Sequence, residues 1–404
     1  MIYKKKEFQI DNIKTSVLAR NYSTPLYCYS FKKLKENILN FKKNFKTVKP
    51  IICFSVKSNS NETLLREIGK LGLGADVVSV GELMKSLKSG IKPSKIVFSG
   101  VGKTSNEIEY AIKKKILLIN AESKSEIIEI EKIAKKLKKR VSIGIRLNPN
   151  TDAKTLSQIS TGKRDDKFGV NEKTFLSLVG YLKKSKHLNL KCISVHIGSQ
   201  ILDIKPYERM LHVLERIIKK SKYNFDFVDL GGGMGIDYNN TKKKLNLQKY
   251  SILIKRFLKK QKTQIIFEPG RSIIGNTGVL ISKIIYIKES AKKNFIILDA
   301  GMNDLMRPAL YNASHRILPA KINNKKSKKS YEFVGPICES TDKFALLKNF
   351  QKLKEKDLII IFDVGAYGMS LSSNYNLRPK ATEIMIRNSK VKIISKRQNF
   401  KDLI

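Results

Sequence analysis

Cysteine is scarce in this chain of 404 residues. Its four copies, Cys28, Cys53, Cys192 and Cys338, lie far apart and form no C-x-x-C pair. That spacing excludes a zinc ribbon and a disulfide framework, and no metal site is expected. Long apolar runs are missing as well. Stretches such as residues 358–362 fall far short of the roughly 20 residues that a membrane helix needs. The opening MIYKKKEFQI has no apolar segment of the kind a secretory signal carries. A cytoplasmic protein with no membrane partner is the expectation. Repeats of solenoid period are absent. Acids are few, 35 against 80 Lys and Arg, which leaves a formal net charge of +45. The chain is not short of apolar residues, however. At 41% hydrophobic it can bury a large core, which excludes general disorder.

A charge of +45 points first to nucleic acid or an anionic surface. The distribution argues otherwise. Of the 80 basic residues only 14 are arginine, and the lysines are spread along the chain as pairs on helix-like faces, as at Lys135, Lys136, Lys138 and Lys139. Lys, Ile and Asn are all abundant and share AT-rich codons. The aromatic-rich motifs of RNA-binding sheets are missing. Solvated helix faces are the expected role of this charge, with no nucleic-acid partner.

Short β-branched runs recur through the first two thirds, at residues 51–56, 75–78, 96–99, 116–119, 141–147, 192–196, 225–230 and 264–267. They read as strands buried on both faces. Amphipathic helical segments separate them. Phe31, Leu34, Ile38, Phe41 and Phe45 share one helical face. Asn61 marks a helix start, and Gly72 and Gly74 mark its end. Eight β-then-α units predict a (β/α)₈ barrel over residues 26–275. The rival, a doubly wound dinucleotide fold, requires G-x-G-x-x-G. Here Gly231, Gly232, Gly233 and Gly235 follow a strand, but Ile236 takes the last position. After residue 275 strands follow one another, at 278–287, 295–299, 331–336, 358–364 and 381–386, which predicts an antiparallel β domain. Residues 1–25 are expected to join it.

Active sites of such barrels lie at the C-terminal strand ends. Strand one ends in FSVKSN, so Lys57 emerges from a buried strand. Such an amine suits bonding to an aldehyde, although a lysine can also snorkel to water. Strand six ends in HIGSQ, with His196 beside Gly198 and Ser199. A core histidine is the plain alternative. Strand seven ends in three glycines, whose bare amides can cradle a phosphate or simply make a tight turn. Strand eight ends in Glu268-Pro269-Gly270-Arg271, a carboxylate and a guanidinium fit for a cationic ring nitrogen and an anion. Arg146, at the end of strand five, can orient a carboxylate. Together these residues point to pyridoxal 5′-phosphate, a phosphate-bearing aldehyde held by a lysine.

The motifs FSVKSN, SVHIGSQ, DLGGGMGI and EPGRSI resemble those of the barrel-type, pyridoxal-phosphate-dependent decarboxylases of basic amino acids, which share the alanine-racemase-like, type III fold. DAGMNDLMRPALYNASH (299–315), GPICESTDKF (335–344) and GAYGMSLSSNYNLRPKATEI (365–384) resemble the diaminopimelate decarboxylase branch. The resemblance runs in order from about residue 20 to residue 390. It implies that Lys57 carries the cofactor, His196 stacks on its ring and Glu268 holds the pyridine nitrogen. Ser199, Gly233, Gly270, Arg271 and Tyr367 would hold the phosphate. Arg271, Arg307, Tyr311 and Tyr367 would meet the substrate, and Glu339 its distal ammonium. Cys338 would be the proton donor. Cys338 and Glu339 would serve the partner subunit of a homodimer. Asp76 and Glu82 would support the cofactor from strand two. Taken alone, Cys338 reads first as an ordinary buried thiol, and Arg307 can be read as a surface ion pair. Ser55 and Ser58 stand where the family often has Ala. The implied reaction is decarboxylation of meso-2,6-diaminopimelate to L-lysine and CO₂, which ends lysine biosynthesis. The alternative is another basic substrate, namely ornithine, arginine or carboxynorspermidine.

Overall fold

The computed structural model describes residues 1–153, 161–162, 166–291 and 293–404. They form two compact units. One contains Ile38–Ile236 and Lys244–Ser272, and the other contains Met1–Asn37, Asp237–Lys243 and Ile273–Ile404.

The first unit is a closed barrel of eight parallel strands. They are β1 (Ile51–Ser55), β2 (Gly74–Val77), β3 (Ile96–Phe98), β4 (Leu118–Ala121), β5 (Val141–Arg146), β6 (Leu188–Ser194), β7 (Phe227–Asp229) and β8 (Gln264–Phe267). Each pairs with the next, and β8 returns to β1. Most of the intervening helices start on side-chain caps, whereas Lys205–Ser221 starts without one and carries Pro206 in its first turn. Asn61 accepts from the amides of Thr63 and Leu64, and Thr104 forms a capping box with Glu107. Ile38, Phe41 and Phe45 are buried, and the Phe45 ring lies 4.7 Å from Phe267 of β8.

Two strands depart from the apolar pattern, each for a visible reason. The fourth was expected at 116–119 but runs Leu118–Ala121. Asn120 hid its end, because this polar residue points into the barrel and bonds Asp229. The sixth was expected from Cys192 but starts at Leu188. There Lys191 faces outward to Asp226, and a register shift falls between Leu190 and Cys192. Strand β6 also ends at Ser194, so His196 sits on the loop beyond it.

The second unit is built on a nine-stranded, mostly antiparallel sheet. Leu26–Ser30 pairs antiparallel with Gly278–Glu289 and parallel with Thr382–Arg387. Residues 26–37, which the sequence reading placed with the barrel, therefore group with the sheet, as do 237–243. Asn294–Leu298 and Tyr331–Val334 form a second parallel pair. Strands Ile317–Pro319, Lys343–Leu347 and Lys390–Ser395 belong to the same sheet and were not among the expected strands. The N-terminal residues form a small three-stranded sheet, and the Phe8 amide donates to the Ala320 carbonyl. Leu26, Cys28, Val279, Ile281, Ile360 and Ile384 share the core of this unit with Phe8 and Ile10.

Candidate active site

The chemistry of the barrel unit collects at the C-terminal strand ends. After β1 a single 3-10 turn, Val56–Ser58, presents Lys57. Its Nζ lies 3.4 Å from Asp76 Oδ2 at the end of β2, and the lysine side chain stays 41% exposed. The Ser55 hydroxyl donates to the same oxygen at 2.7 Å. Asp76 is fully buried, and its Oδ1 has no hydrogen-bond partner among the described residues. A buried carboxylate oxygen is costly to leave without a donor. Glu82, at the start of helix Val80–Lys88, accepts from the Val78 amide. Burial pushes its carboxyl up to about 7, with Asp76 adding to the rise and Lys57 opposing it.

Asp229 and Glu268 form an acidic floor at the ends of β7 and β8. Asp229 accepts from the Gly231 amide at 2.9 Å, from Asn120 at 3.0 Å and from Ser194 at 3.3 Å. Ser99 donates to Glu268 at 3.3 Å. Burial, and then the Asp229 and Asp76 charges, push the Glu268 carboxyl well above its ordinary range, against the pull of Lys57. Burial also raises Asp229, to about 6, although its bonds to Gly231 and Glu268 resist this. The two carboxyls are hydrogen-bonded, an arrangement that favours a proton on Glu268 with Asp229 as its acceptor. A carboxyl in that state can share its proton with an aromatic nitrogen.

His196 accepts the Gly232 amide at Nδ1, 3.2 Å away. Burial, with the Lys57 and Arg146 cations, keeps its pKa well below 6.5. It is therefore a neutral ring, suited to stacking. Glycine is required on the loops around it. Gly231 has φ +62° and Gly233 φ +86°, and a Cβ on Gly233 would stand 2.4 Å from the Gly198 carbonyl oxygen. A Cβ on Gly270 would stand 2.9 Å from Ser58 Oγ. Arg271 donates to Ser199 Oγ at 3.2 Å. Three adjacent strands, β6 to β8, thus bring Ser199, Gly233, Gly270 and Arg271 to one end of the barrel. This donor set and the acidic floor fit a phosphorylated pyridine aldehyde. The carboxylate that Arg146 meets is one of the chain's own. The arginine pairs with buried Glu122 at 2.8 Å and lies over the Phe168 ring at 4.7 Å, so it orders the β4 and β5 loops.

The sheet unit holds the remaining candidates in two groups. Arg307 opens the short helix Arg307–Tyr311 and is buried, not a surface ion pair. Its guanidinium packs over the Tyr238 ring and meets His315, and Tyr311 is half-buried at the helix end. In the second group, Cys338 and Glu339 sit exposed on one ordered loop. Tyr375 donates to Glu339 at 2.5 Å and Thr341 at 3.0 Å, which holds that carboxyl below its usual range. Asn376 accepts the Cys338 amide at 3.1 Å. Buried Asp342 accepts the amides of Met302 and Ile337, each at 2.7 Å, and so staples the loop. Burial drives the thiols of Cys28, Cys53 and Cys192 well up, leaving Cys338 as the accessible thiol. Tyr367 stands at φ +57°, a strained value for a residue with a side chain. Sequence reasoning missed Ser55, Asn120, Asp229, Asp342, Tyr375 and His315. Several of these lie inside the quoted motifs, but their roles come from contacts distant in sequence.

A parallel barrel with a lysine, a neutral histidine, a glycine cradle and a protonated carboxyl at its strand ends, joined in one chain to a mostly antiparallel sheet, defines a barrel-type pyridoxal-dependent decarboxylase. Residues 31–275 match the family model described as the pyridoxal-binding domain of pyridoxal-dependent decarboxylases. A diaminopimelate decarboxylase of Aquifex aeolicus is 41% identical over 98% of this chain and 95% of its own length. One from Helicobacter pylori is 43% identical over 96% of both. The crystal structure of a Helicobacter pylori diaminopimelate decarboxylase complexed with L-lysine superposes with a TM-score of 0.91 at 42% identity, covering 96% of this chain and 98% of that one. The chain belongs to the diaminopimelate decarboxylase family.

Proposed function

We propose that this enzyme removes one carboxylate of meso-2,6-diaminopimelate to give L-lysine and CO₂ in the cytoplasm. The observation that carries this reading is the buried Arg307 guanidinium, in a chain alike over its whole length to diaminopimelate decarboxylases. Ornithine and simple diamines offer no distal carboxylate for it. Pyridoxal phosphate, when bound, supplies an aromatic ring that withdraws the electron pair left behind by CO₂.

In this reading Lys57 binds the aldehyde carbon and Asp76 steadies its amine. Glu268 would hold a proton at the ring nitrogen when the cofactor is bound, which would keep the ring electron-poor, and Asp229, hydrogen-bonded to Glu268, would tune that contact. Neutral His196 packs on the ring face without competing for the proton. Ser199, the Gly233 and Gly270 amides, Arg271 and Tyr367 hold the phosphate. Arg307, with Arg271, Tyr311 and Tyr367, orients the distal carboxylate. Glu339 balances the distal ammonium, and the Cys338 thiol delivers the proton to Cα. Exposure of Cys338 and Glu339 on a stapled loop supports their service to a partner subunit in a homodimer.

The test is CO₂ release from a panel of diaminopimelate, ornithine, arginine and carboxynorspermidine, with Arg307→Leu beside the unmodified enzyme. Diaminopimelate is the expected substrate. Arg307→Leu is expected to raise its KM by roughly tenfold or more while the visible absorption of the bound cofactor persists. Preference for another member of the panel, or an unchanged KM, would refute the reading.

A further inference from the structure

Arg307 is fixed by a neighbour that takes no part in the mechanism above. Its Nη1 lies 2.8 Å from Nε2 of His315, and the other ring nitrogen, Nδ1, lies 2.7 Å from the Phe362 carbonyl oxygen. A carbonyl oxygen only accepts, so Nδ1 carries the proton. A guanidinium only donates, so Nε2 must present its lone pair. Both bonds are satisfied by one species, the neutral imidazole protonated at Nδ1. Both residues are buried, Arg307 at 6% and His315 at 4% exposure. Water is therefore a poor substitute for either bond.

The surroundings make this arrangement rigid. The Tyr238 ring lies 4.5 Å from the Arg307 guanidinium carbon, and it meets the His315 ring edge-on at 5.2 Å and 77°. Phe362 follows strand Leu358–Ile361, which is paired on both sides, and its amide donates to the Arg316 carbonyl. The sheet thus sets the position of the Phe362 carbonyl, that carbonyl sets the tautomer and tilt of His315, and His315 sets the plane of the guanidinium. The helix alone cannot do this, because Arg307–Tyr311 is a single short turn with Pro308 behind its first residue.

We propose that His315 is a positioning residue that orients Arg307 for the distal carboxylate of the substrate and so contributes to selection of amino acids over diamines. This rests on the reading of Arg307 as the carboxylate holder. The His315 bond engages one N–H of a planar guanidinium and so fixes the plane of the fork.

The test uses the cofactor-loaded, full-length enzyme and His315→Phe, His315→Gln and His315→Asn. Phe keeps a ring but offers no acceptor. Gln returns an oxygen near the place of Nε2, whereas Asn can restore only the donation to Phe362. Binding of L-lysine, which keeps the distal carboxylate, and of cadaverine, which lacks it, is measured by calorimetry alongside kinetics. His315→Phe is expected to weaken L-lysine and raise the KM for diaminopimelate by roughly tenfold, with cadaverine binding and kcat changed far less. Gln should recover part of the loss and Asn should not. Circular dichroism identifies a misfolded variant, and Gln against Asn then carries the comparison. If Arg307→Leu weakens L-lysine and no His315 variant does, the positioning role is wrong. If Arg307→Leu also leaves L-lysine binding intact, the carboxylate-holder reading falls with it. Equal loss of L-lysine and cadaverine would mark His315 as merely structural.

Discussion

Glu82 offers the most direct test of the electrostatics beneath Lys57. Its carboxyl is pushed from 4.5 to about 7, chiefly by burial, with Asp76 adding to the rise while the Val78 amide and Lys57 oppose it. A carboxyl raised in the folded state favours folding while protonated. That contribution is complete below the unfolded value and is lost as pH rises through the folded one. For a group moved from 4.5 to about 7, the ionisation penalty grows by about 2.5 kcal/mol between about pH 5 and about pH 8. Glu82→Gln keeps an acceptor for the Val78 amide and removes the penalty. The variant should therefore gain about 2.5 kcal/mol on the unmodified enzyme over that interval, whatever constant offset the substitution adds. Urea unfolding followed by circular dichroism at several pH values reads this difference, and most other titrations cancel between the two proteins. A difference that stays flat with pH would refute the burial argument. A difference that shrinks as pH rises would reverse its sign.

Two further outcomes follow from the geometry. Gly233→Ala puts a Cβ 2.4 Å from a backbone oxygen at a φ of +86°, and it should weaken cofactor retention by more than tenfold, about the effect of losing one charged hydrogen bond. Gly180→Ala, in a helix with open space around it, should leave retention unchanged; dialysis followed by cofactor absorbance separates the two. Mixing inactive Lys57→Ala chains with inactive Cys338→Ala chains should restore about a quarter of full activity, because half of randomly re-formed dimers carry one intact site of two. No recovery after subunit exchange would place both residues in one subunit's site.

The barrel was legible because each strand is buried on both faces, so a run such as IICFS reports its own location without knowledge of its neighbours. Its glycines were legible for a similar reason, since three in a row after an apolar strand have few cheap explanations. The misread elements share a different property. Asn120 ended the apparent fourth strand early because its amide is paid for by Asp229, which lies 109 residues away. Leu26–Ser30 looked like the approach to the barrel, yet its partners are Gly278–Glu289 and Thr382–Arg387. Ser55 passed as a small residue in place of Ala, and only the fold shows its hydroxyl on Asp76. Arg146 was expected to orient a carboxylate, and only the fold shows that this carboxylate is Glu122. Sequence motifs thus exposed residues with distinctive chemistry, while the polar contacts that tune them depended on closure of the chain.

The opening imbalance of charge also takes on a structural meaning. Lysine dominates the cations and lies mostly on solvated faces, where ion pairs such as Lys113 with Glu109 contribute little. The scarce acids do something lysine cannot. Asp76, Asp229 and Glu268 are all buried at the strand ends, and that burial, with the charges of Asp229 and Asp76 adding to it, drives the Glu268 carboxyl toward its protonated form. A field spread over the surface decays within roughly 8–10 Å at physiological salt, so it can draw an anionic phosphate inward without setting the protonation state at the strand ends. The same reasoning separates the arginines from the lysines. Arg307 must satisfy the lone pair of His315 and keep a planar face on Tyr238, and a flexible ammonium holds neither orientation. In a chain where 66 of the 80 basic residues are lysine, a buried arginine therefore marks a place where direction matters more than charge.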